Sequence, residues 1–319
     1  MEIEAIGRRS GRVIAEVERA IVGKRRVLEL VMLAVLSGGH VLVEDYPGLA
    51  KTLIARSFAA VLGLEFKRIQ FTPDLLPGDV TGTHIYNRKT GTFELRKGPI
   101  FAHIVLADEI NRAPPKTQAA LLEAMQENQV TLEGETLKLP EPFIVIATQN
   151  PIEYEGTFPL PEAQIDRFIM RISVGYPSLE EEQEILRRRR ERQQDEVQLE
   201  ATTTPEELLE MRRTLESIYV DPDVEGYMVT LTQRTRSDSH VEVGASPRGS
   251  LALLKLARVK AALEGRDYVL PDDVKFVAVP ALAHRLILKP DLWAKAVEAE
   301  EIIANLLSAV AVPKVESRL

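Results

Sequence analysis

"EDYPGLAKT", residues 44–52, is the stretch on which the reading of this sequence turns. It follows a short apolar run, "HVLVE" (40–44), and leads into a helical pattern. The first N–H groups of a helix have no partner inside it, so a strand, a tight turn and a helix opening on Lys-Thr make a ready anion site. A strict phosphate loop reads GxxxxGK[ST]. Here Asp45 stands at the first glycine and Ala50 at the second, and only Lys51 and Thr52 match the fixed positions. Pro47 and Gly48 still supply the turn, and the backbone from Gly48 through Leu49, Ala50, Lys51 and Thr52 to Leu53 can cradle phosphates. Lys51 would lie over the β- and γ-phosphates, and Thr52 would offer its hydroxyl to magnesium. A carboxylate at 45 would repel phosphate unless it faces away. Taken alone, the stretch also reads as an ordinary turn before a helix.

Further signals bear on that choice. "HIVLADEINRA" (103–113) puts Asp108 and Glu109 at the end of an apolar run. An ionised pair there is costly without a cation or a task. Asp108 is expected to hold magnesium, and Glu109 to orient and deprotonate the attacking water. "FIVIATQNP" (143–151) brings Asn150 out of another apolar run. In an open parallel sheet the residues beyond the carboxyl ends of the strands converge on one crevice, so Asn150 is expected beside the water or the γ-phosphate. Two arginines come later: Arg167 in "LPEAQIDRF" and Arg248 in "GASPRGS". Arg167 is either the ion-pair partner of Asp166 or Glu162, or a guanidinium offered to a neighbouring subunit's site. Arg248 is either a solvent-exposed arginine at a helix start, or a residue reaching back across an interdomain cleft to phosphate.

Working outward, apolar runs at 40–44, 66–71, 103–108, 143–150 and 167–174 alternate with helical patterns, which predicts an α/β fold with helices on both faces of a mostly parallel sheet. "THIYNRKTGTFEL" (83–95) and "NQVTLEGETLKL" (128–139) read as inserted hairpins turning near Thr90-Gly91 and at Gly134. They are either ornament or contacts to a neighbour or substrate. Beyond Tyr176-Pro177 the pattern is helical. Ser178 with Glu181 and Thr204 with Glu207 read as capping boxes, and helices are expected to open at Ser246-Pro247 and in "LPDDV" (270–274). The expected division is an α/β core, 1–176, and an all-α domain, 178–319.

Composition narrows the class. A chain of 319 residues can bury two domains. It contains no cysteine, which excludes disulfides and thiolate zinc sites and fits a cytoplasmic setting. The amino terminus lacks a continuous apolar segment, so neither a secretory signal nor membrane insertion is expected. A formal charge of -8 argues against a nucleic-acid surface. The basic run Arg187–Arg190 is flanked by acids, and reads as a solvated helix with internal ion pairs, or else as a binding patch.

Together these landmarks resemble the MoxR family of AAA+ ATPases over nearly the whole chain. "EDYPGLAKT" is similar to that family's variant phosphate loop, "LADEINRAPPKTQAALLEAMQE" to its acidic strand end and following helix, "ATQNP" to its first sensor, "LPEAQIDRF" to its arginine-finger region and "GASPRG" to its second sensor. The hairpins correspond to the insertion in the second core helix and the one before the first sensor. The wider clade holds magnesium-chelatase ATPase subunits and replicative MCM helicases. The resemblance implies a P-loop core with a five-stranded parallel sheet and an all-α lid. It also implies Mg-ATP bound between subunits of a homo-oligomeric ring, usually a hexamer, with Val22 and Gly23 near the adenine. A protein client is implied, often one with a von Willebrand factor A domain. Gly249 departs from the family's usual alanine and is expected to loosen that helix start by a fraction of about 1 kcal/mol. Four functions stay open: a remodelling or activating factor for a protein client, a nucleic-acid motor, a nucleotide-gated scaffold with little turnover, and a chelatase-like subunit.

Overall fold

The apolar runs become five short parallel strands in a computed structural model that describes residues 1–151, 156–290 and 298–314. In chain order the first half comprises α1 (Ile3–Glu18), α2 (Arg25–Ser37), β1 (Val41–Glu44), α3 (Lys51–Val61), β2 (Phe66–Gln70), α4 (Pro77–Thr81), β3 (Gly82–Asn87), β4 (Thr92–Lys97) and β5 (Ile104–Asp108). Next come α5 (Pro115–Glu127), β6 (Gln129–Leu132), β7 (Glu135–Lys138), β8 (Ile144–Gln149), α6 (Glu162–Ile165) and β9 (Met170–Ile172). The sheet order is β2-β5-β8-β1-β9. Alternation along the strands builds two cores. Val41, Val43, Ile104, Leu106, Ile144 and Ile146 face α1, α2 and α3. Leu42, Val105, Ala107, Val145 and Ala147 face α5. Strands buried on both sides explain why the runs are apolar throughout rather than alternating.

Both inserts are antiparallel hairpins outside this sheet, β3 with β4 and β6 with β7. The β6–β7 turn has positive φ at both Glu133 and Gly134, the geometry of a tight two-residue hairpin. The strand expected over 167–174 is shorter, only 170–172: Arg167 bonds Leu122 O at one end, and the Val174 N–H goes to the Asp45 carboxylate at the other.

The lid follows as α7 (Leu179–Arg192), α8 (Pro205–Leu215), α9 (Pro222–Ser237), β10 (Val241–Val243), α10 (Pro247–Leu263), α11 (Pro271–Leu282), β11 (Ile287–Leu288) and α12 (Ala299–Ala309). β10 and β11 add a small antiparallel pairing to the helices. Both capping boxes form, Ser178 with Glu181 and Thr204 with Glu207, and Ser246 caps α10. Arg187, Arg188 and Arg189 on α7 pair with Glu184, Glu191 and Asp195, so the basic run is a solvated ion-paired helix. One apolar cluster continues from α1 and α2 into α8, α10 and α11, with Ile6, Val13, Leu28, Leu208, Leu253 and Val274 among its members. The amino-terminal helices thus pack on the lid as well as on the sheet. Gly249 is buried against α11: a Cβ there would meet Leu282 Cδ2 at 2.9 Å and Arg285 Cδ at 3.5 Å, so the glycine makes room for a neighbouring helix at some cost in helix propensity.

Candidate functional site

Three adjacent parallel strands, β5, β8 and β1, end on the same side of the sheet. The segments leaving those ends therefore converge: Asp108 and Glu109 at the end of β5, Asn150 after β8, and the 45–50 loop after β1. The Asp45 N–H donates to Gln149 O at 3.2 Å, which ties two of these exits together.

Gly48 in the loop has φ 83°, a conformation that favours glycine, and a Cβ there would meet nothing within 4 Å. Ala50 holds φ 57° at the N-cap of α3, the left-handed geometry the missing second glycine would adopt without strain. That N-cap makes no side-chain hydrogen bond, so the first turn of α3 keeps its N–H groups for an external acceptor. Leu49 is buried and anchors the loop, while Leu53 is exposed. Lys51 Nζ donates to Asp45 O at 2.6 Å and Tyr46 O at 3.0 Å. Burial lowers the Lys51 pKa, partly opposed by Asp45, Asp108 and Glu109. The Asp45 carboxylate faces away from the loop, as the sequence required, and accepts from Ser173, Val174 and Gly175.

Asp108 is buried. Its Oδ1 accepts from Thr148 Oγ1 at 2.6 Å, and its Oδ2 from Arg68 Nε and Nη2 at 3.0 and 2.6 Å. Thr148 Oγ1 also accepts the Glu109 N–H at 2.8 Å. Glu109 itself sits at φ 56°, ψ 51°, a strained conformation for a non-glycine residue and one that concentrates at working sites. Its Oε2 accepts from Gln70 Nε2 at 2.8 Å and Arg112 Nη1 at 3.0 Å. Sequence reasoning missed Thr148, Arg68, Gln70 and Arg112. Thr148 lay inside "ATQNP" but read as one more strand residue. Arg68 and Gln70 lie on an edge strand, where polar residues are ordinary.

The residues suit a magnesium nucleotide. Thr52 and Asp108 offer hard oxygen donors, and Asp108 already holds a cationic guanidinium. Among the described residues no group of three or more His, Cys, Asp or Glu could hold a metal ion. Gly23 lies at the same end. Lys24 Nζ donates to Tyr176 O at 2.9 Å and pairs with Glu181 at 3.6 Å, and a Cβ on Gly23 would overlap the Glu181 side chain. The segment Val22–Gly23 thus runs under the start of α7.

Arg167 and Arg248 are elsewhere. Both line a cavity of about 360 Å³ with Gly39, His40, Lys255 and Arg285. Gly39 and His40 precede β1, so this cavity lies at the amino end of the strands, opposite Lys51. The ion pair of Arg167 with Asp166 or Glu162, one of its two readings, is absent from its contacts among the described residues: Nη1 donates to Leu122 O at 2.7 Å and Nε is buried without a partner. Arg248 does not reach back over its own loop; its Nη1 lies 3.7 Å from Asp166 Oδ2. Asp166 also accepts from Ser246 Oγ at 3.1 Å and is ion-paired with buried Arg285.

This fold and this constellation define a P-loop ATPase of the AAA class, an α/β core followed by a helical lid. Residues 40–170 match the ATPase family associated with various cellular activities (AAA), and residues 233–306 the AAA lid domain. Protein YeaC of Bacillus subtilis is 49% identical over 303 residues, 95% of this chain and 94% of that one. Chaperone MoxR1 of Mycobacterium tuberculosis is 46% identical over 315 residues, 96% of this chain and 83% of that one. A crystal structure of a protein from Cytophaga hutchinsonii superposes with a TM-score of 0.91 at 41% identity, covering 97% of this chain and 96% of that one. The chain belongs to the MoxR family of AAA+ ATPases.

Proposed function

We propose that this ATPase binds Mg-ATP between two copies of itself in a ring, a hexamer by family resemblance, and spends hydrolysis on remodelling or activating a protein client in the cytoplasm. Gly48 to Leu53 would cradle the phosphates, Val22 and Gly23 would flank the adenine, and Thr52 with Asp108 would hold magnesium. The ion, when bound, supplies neutralisation of phosphate charge. Glu109 would take the proton of the attacking water, with Gln70 and Arg112 setting its carboxylate and Asn150 orienting the water. The core, 1–176, would carry this chemistry, and the lid, 178–319, would move against it.

The observation that carries the reading is the placement of Arg167 and Arg248 together, across the sheet from Lys51 of their own chain. A four-residue strand such as β1 spans about 13 Å, which favours a neighbour's γ-phosphate over the chain's own loop as the partner of both guanidiniums. This supports a site completed in trans. The test is complementation. Lys51→Ala and Arg167→Ala should each be nearly inactive alone. Mixed, they should regain ATPase activity, because a Lys51→Ala subunit still offers its arginines to an intact loop next door. Two inactive variants that stay inactive when mixed under ring-forming conditions would sink the trans arrangement.

The client reading rests on the relative named chaperone MoxR1 and on the inserted hairpins, of which β3–β4 exposes Tyr86 and Phe93. A client with a von Willebrand factor A domain belongs to this proposal. No helix among the described residues is long and apolar enough to cross a membrane.

A further inference from the structure

Asp45 stands where a phosphate loop ordinarily has glycine, and nothing in the proposed chemistry uses its carboxylate. Yet the residue is 5% exposed and heavily bonded. Oδ2 accepts from Val174 N and Gly175 N, each at 2.7 Å, and from Ser173 Oγ at 3.0 Å. Oδ1 accepts the Tyr46 N–H at 2.9 Å. Burial would raise the Asp45 pKa, but these donors outweigh it and keep the carboxylate below its ordinary range, so the site is built for the charged form. Hydrogen bonds to a buried carboxylate are among the strong ones.

The donors matter for where they lie. Residues 173–175 leave β9 at the edge of the sheet and run directly into α7, the first helix of the lid. The same connection is held again a few residues on. Tyr176 lies against Tyr46 with ring centroids 5.9 Å apart, its carbonyl accepts from Lys24, and Glu181 covers Gly23. The phosphate loop therefore grips one end of the core–lid connection, and the adenine-proximal segment grips the other. Asp45 also offers its carbonyl to Lys51 Nζ at 2.6 Å. When that amine turns to a phosphate it releases the very residue that holds the connection. A glycine at 45 would leave the carbonyl contact and delete the grip.

We propose that Asp45 is a positioning residue that couples the phosphate loop to residues 173–181, so that nucleotide in the loop is felt by the lid. The proposal rests on the assignment of 44–52 as the phosphate loop.

Asp45→Gly tests it, because this change restores the usual glycine: a loop that only needs freedom should tolerate it. The full chain is compared with Asp45→Gly, Asp45→Asn and Lys51→Ala by ATPγS affinity, steady-state ATPase kinetics and amide exchange at Val174 and Gly175. In the unaltered protein ATPγS should change exchange at these two amides. In Asp45→Gly they should exchange about tenfold faster and ignore ATPγS, while affinity stays within about threefold and kcat falls about tenfold or more. Asp45→Asn keeps an acceptor oxygen and should fall between; if Asp45→Gly fails to fold, the same three readouts on Asp45→Asn decide. Unaltered kcat together with an unaltered ATPγS response in both variants overturns the coupling. So does a loss of affinity as large as that of Lys51→Ala, which would make Asp45 part of the phosphate cradle alone. Undiminished affinity in Lys51→Ala would instead overturn the phosphate-loop assignment itself.

Discussion

Ala50 shows how a departure from a motif becomes a geometric statement. It holds φ 57°, a conformation that costs a non-glycine residue about 1 kcal/mol or more. Ala50→Gly is expected to keep or raise folding stability by up to about 1 kcal/mol, the relief of strain being partly offset by a freer unfolded chain. Ala50→Val should lower it, since a β-branched side chain fits that region worst. Urea denaturation of the three proteins decides the order. His40 makes a second prediction. Its Nδ1 accepts from Val145 N and its Nε2 donates to Met125 O, both inside the protein, and burial lowers its pKa to about 4. The unfolded imidazole binds its proton near pH 6.5, so the stabilisation is complete above that pH and is lost as pH falls toward about 4. Such a shift is worth about 3 kcal/mol, and thermal unfolding between pH 7 and 4 should lose that dependence in His40→Phe, while buried His284, whose pKa burial also lowers, keeps a dependence of the same sign. At this scale the sequence pointed to Lys51, Thr52, Asp108 and Glu109, and the fold brings them to one end of the sheet. It required Asp45 to face away but could not name Ser173, Val174 and Gly175 as the reason, because those donors arrive through tertiary folding. Thr148 was hidden for the same reason, as its neighbours across the sheet give it its role.

Among the elements, buried parallel strands and capped helices were the legible part. Val41 to Val43, Ile104 to Ala107 and Ile144 to Ala147 are apolar on both faces, and only a sheet covered on both sides asks for that. Ser178, Thr204 and Ser246 each begin a helix where their side chains cap it. The partner of α1 was not legible. Its apolar stripe, with Ile6, Val13 and Val17, announces a buried face without saying what covers it. The answer is partly the lid. A Cβ on Gly7 would meet Ala262 O at 2.9 Å and Leu263 O at 3.1 Å, both backbone atoms near the end of α10 that cannot easily give way. Gly7→Val should therefore push α1 off α10 at a cost of about 1–3 kcal/mol. Gly11→Ala, where a Cβ meets nothing within 4 Å, should gain up to about 1 kcal/mol from helix propensity alone. Opposite signs for two glycines one turn apart would locate the contact, and equal effects would refute it.

For the whole molecule, the two arginines could be named from sequence but not placed, since Arg167 is held by Leu122 O on α5 and Arg248 is set by how the lid docks on the sheet. That docking has a hub. Asp166, just before β9, takes the buried guanidinium of Arg285 from behind α11, the Ser246 hydroxyl that caps α10, and Arg248 at 3.7 Å. Burial lowers the Arg285 pKa, opposed by its pairing with Asp166. Arg285 also donates to Phe168 O and Ala281 O, each at 2.8 Å, so it clamps the lid onto the core. Removing one partner of a buried pair strands the other charge and costs about 3–5 kcal/mol. Asp166→Ala should approach the lower end of that range, because the carbonyl bonds to Arg285 persist. Adding Arg285→Met should restore most of the loss, since no buried charge then stands alone. Function should separate from stability in this series. The double variant regains a folded lid but has lost the contact that sets Arg248 beside Arg167. It should behave as an arginine donor defect: weak ATPase alone, nucleotide affinity retained, and activity restored when mixed with Lys51→Ala. If the double variant recovers full activity along with its stability, Asp166 is a folding residue only, and the pairing of the two arginines does not depend on it.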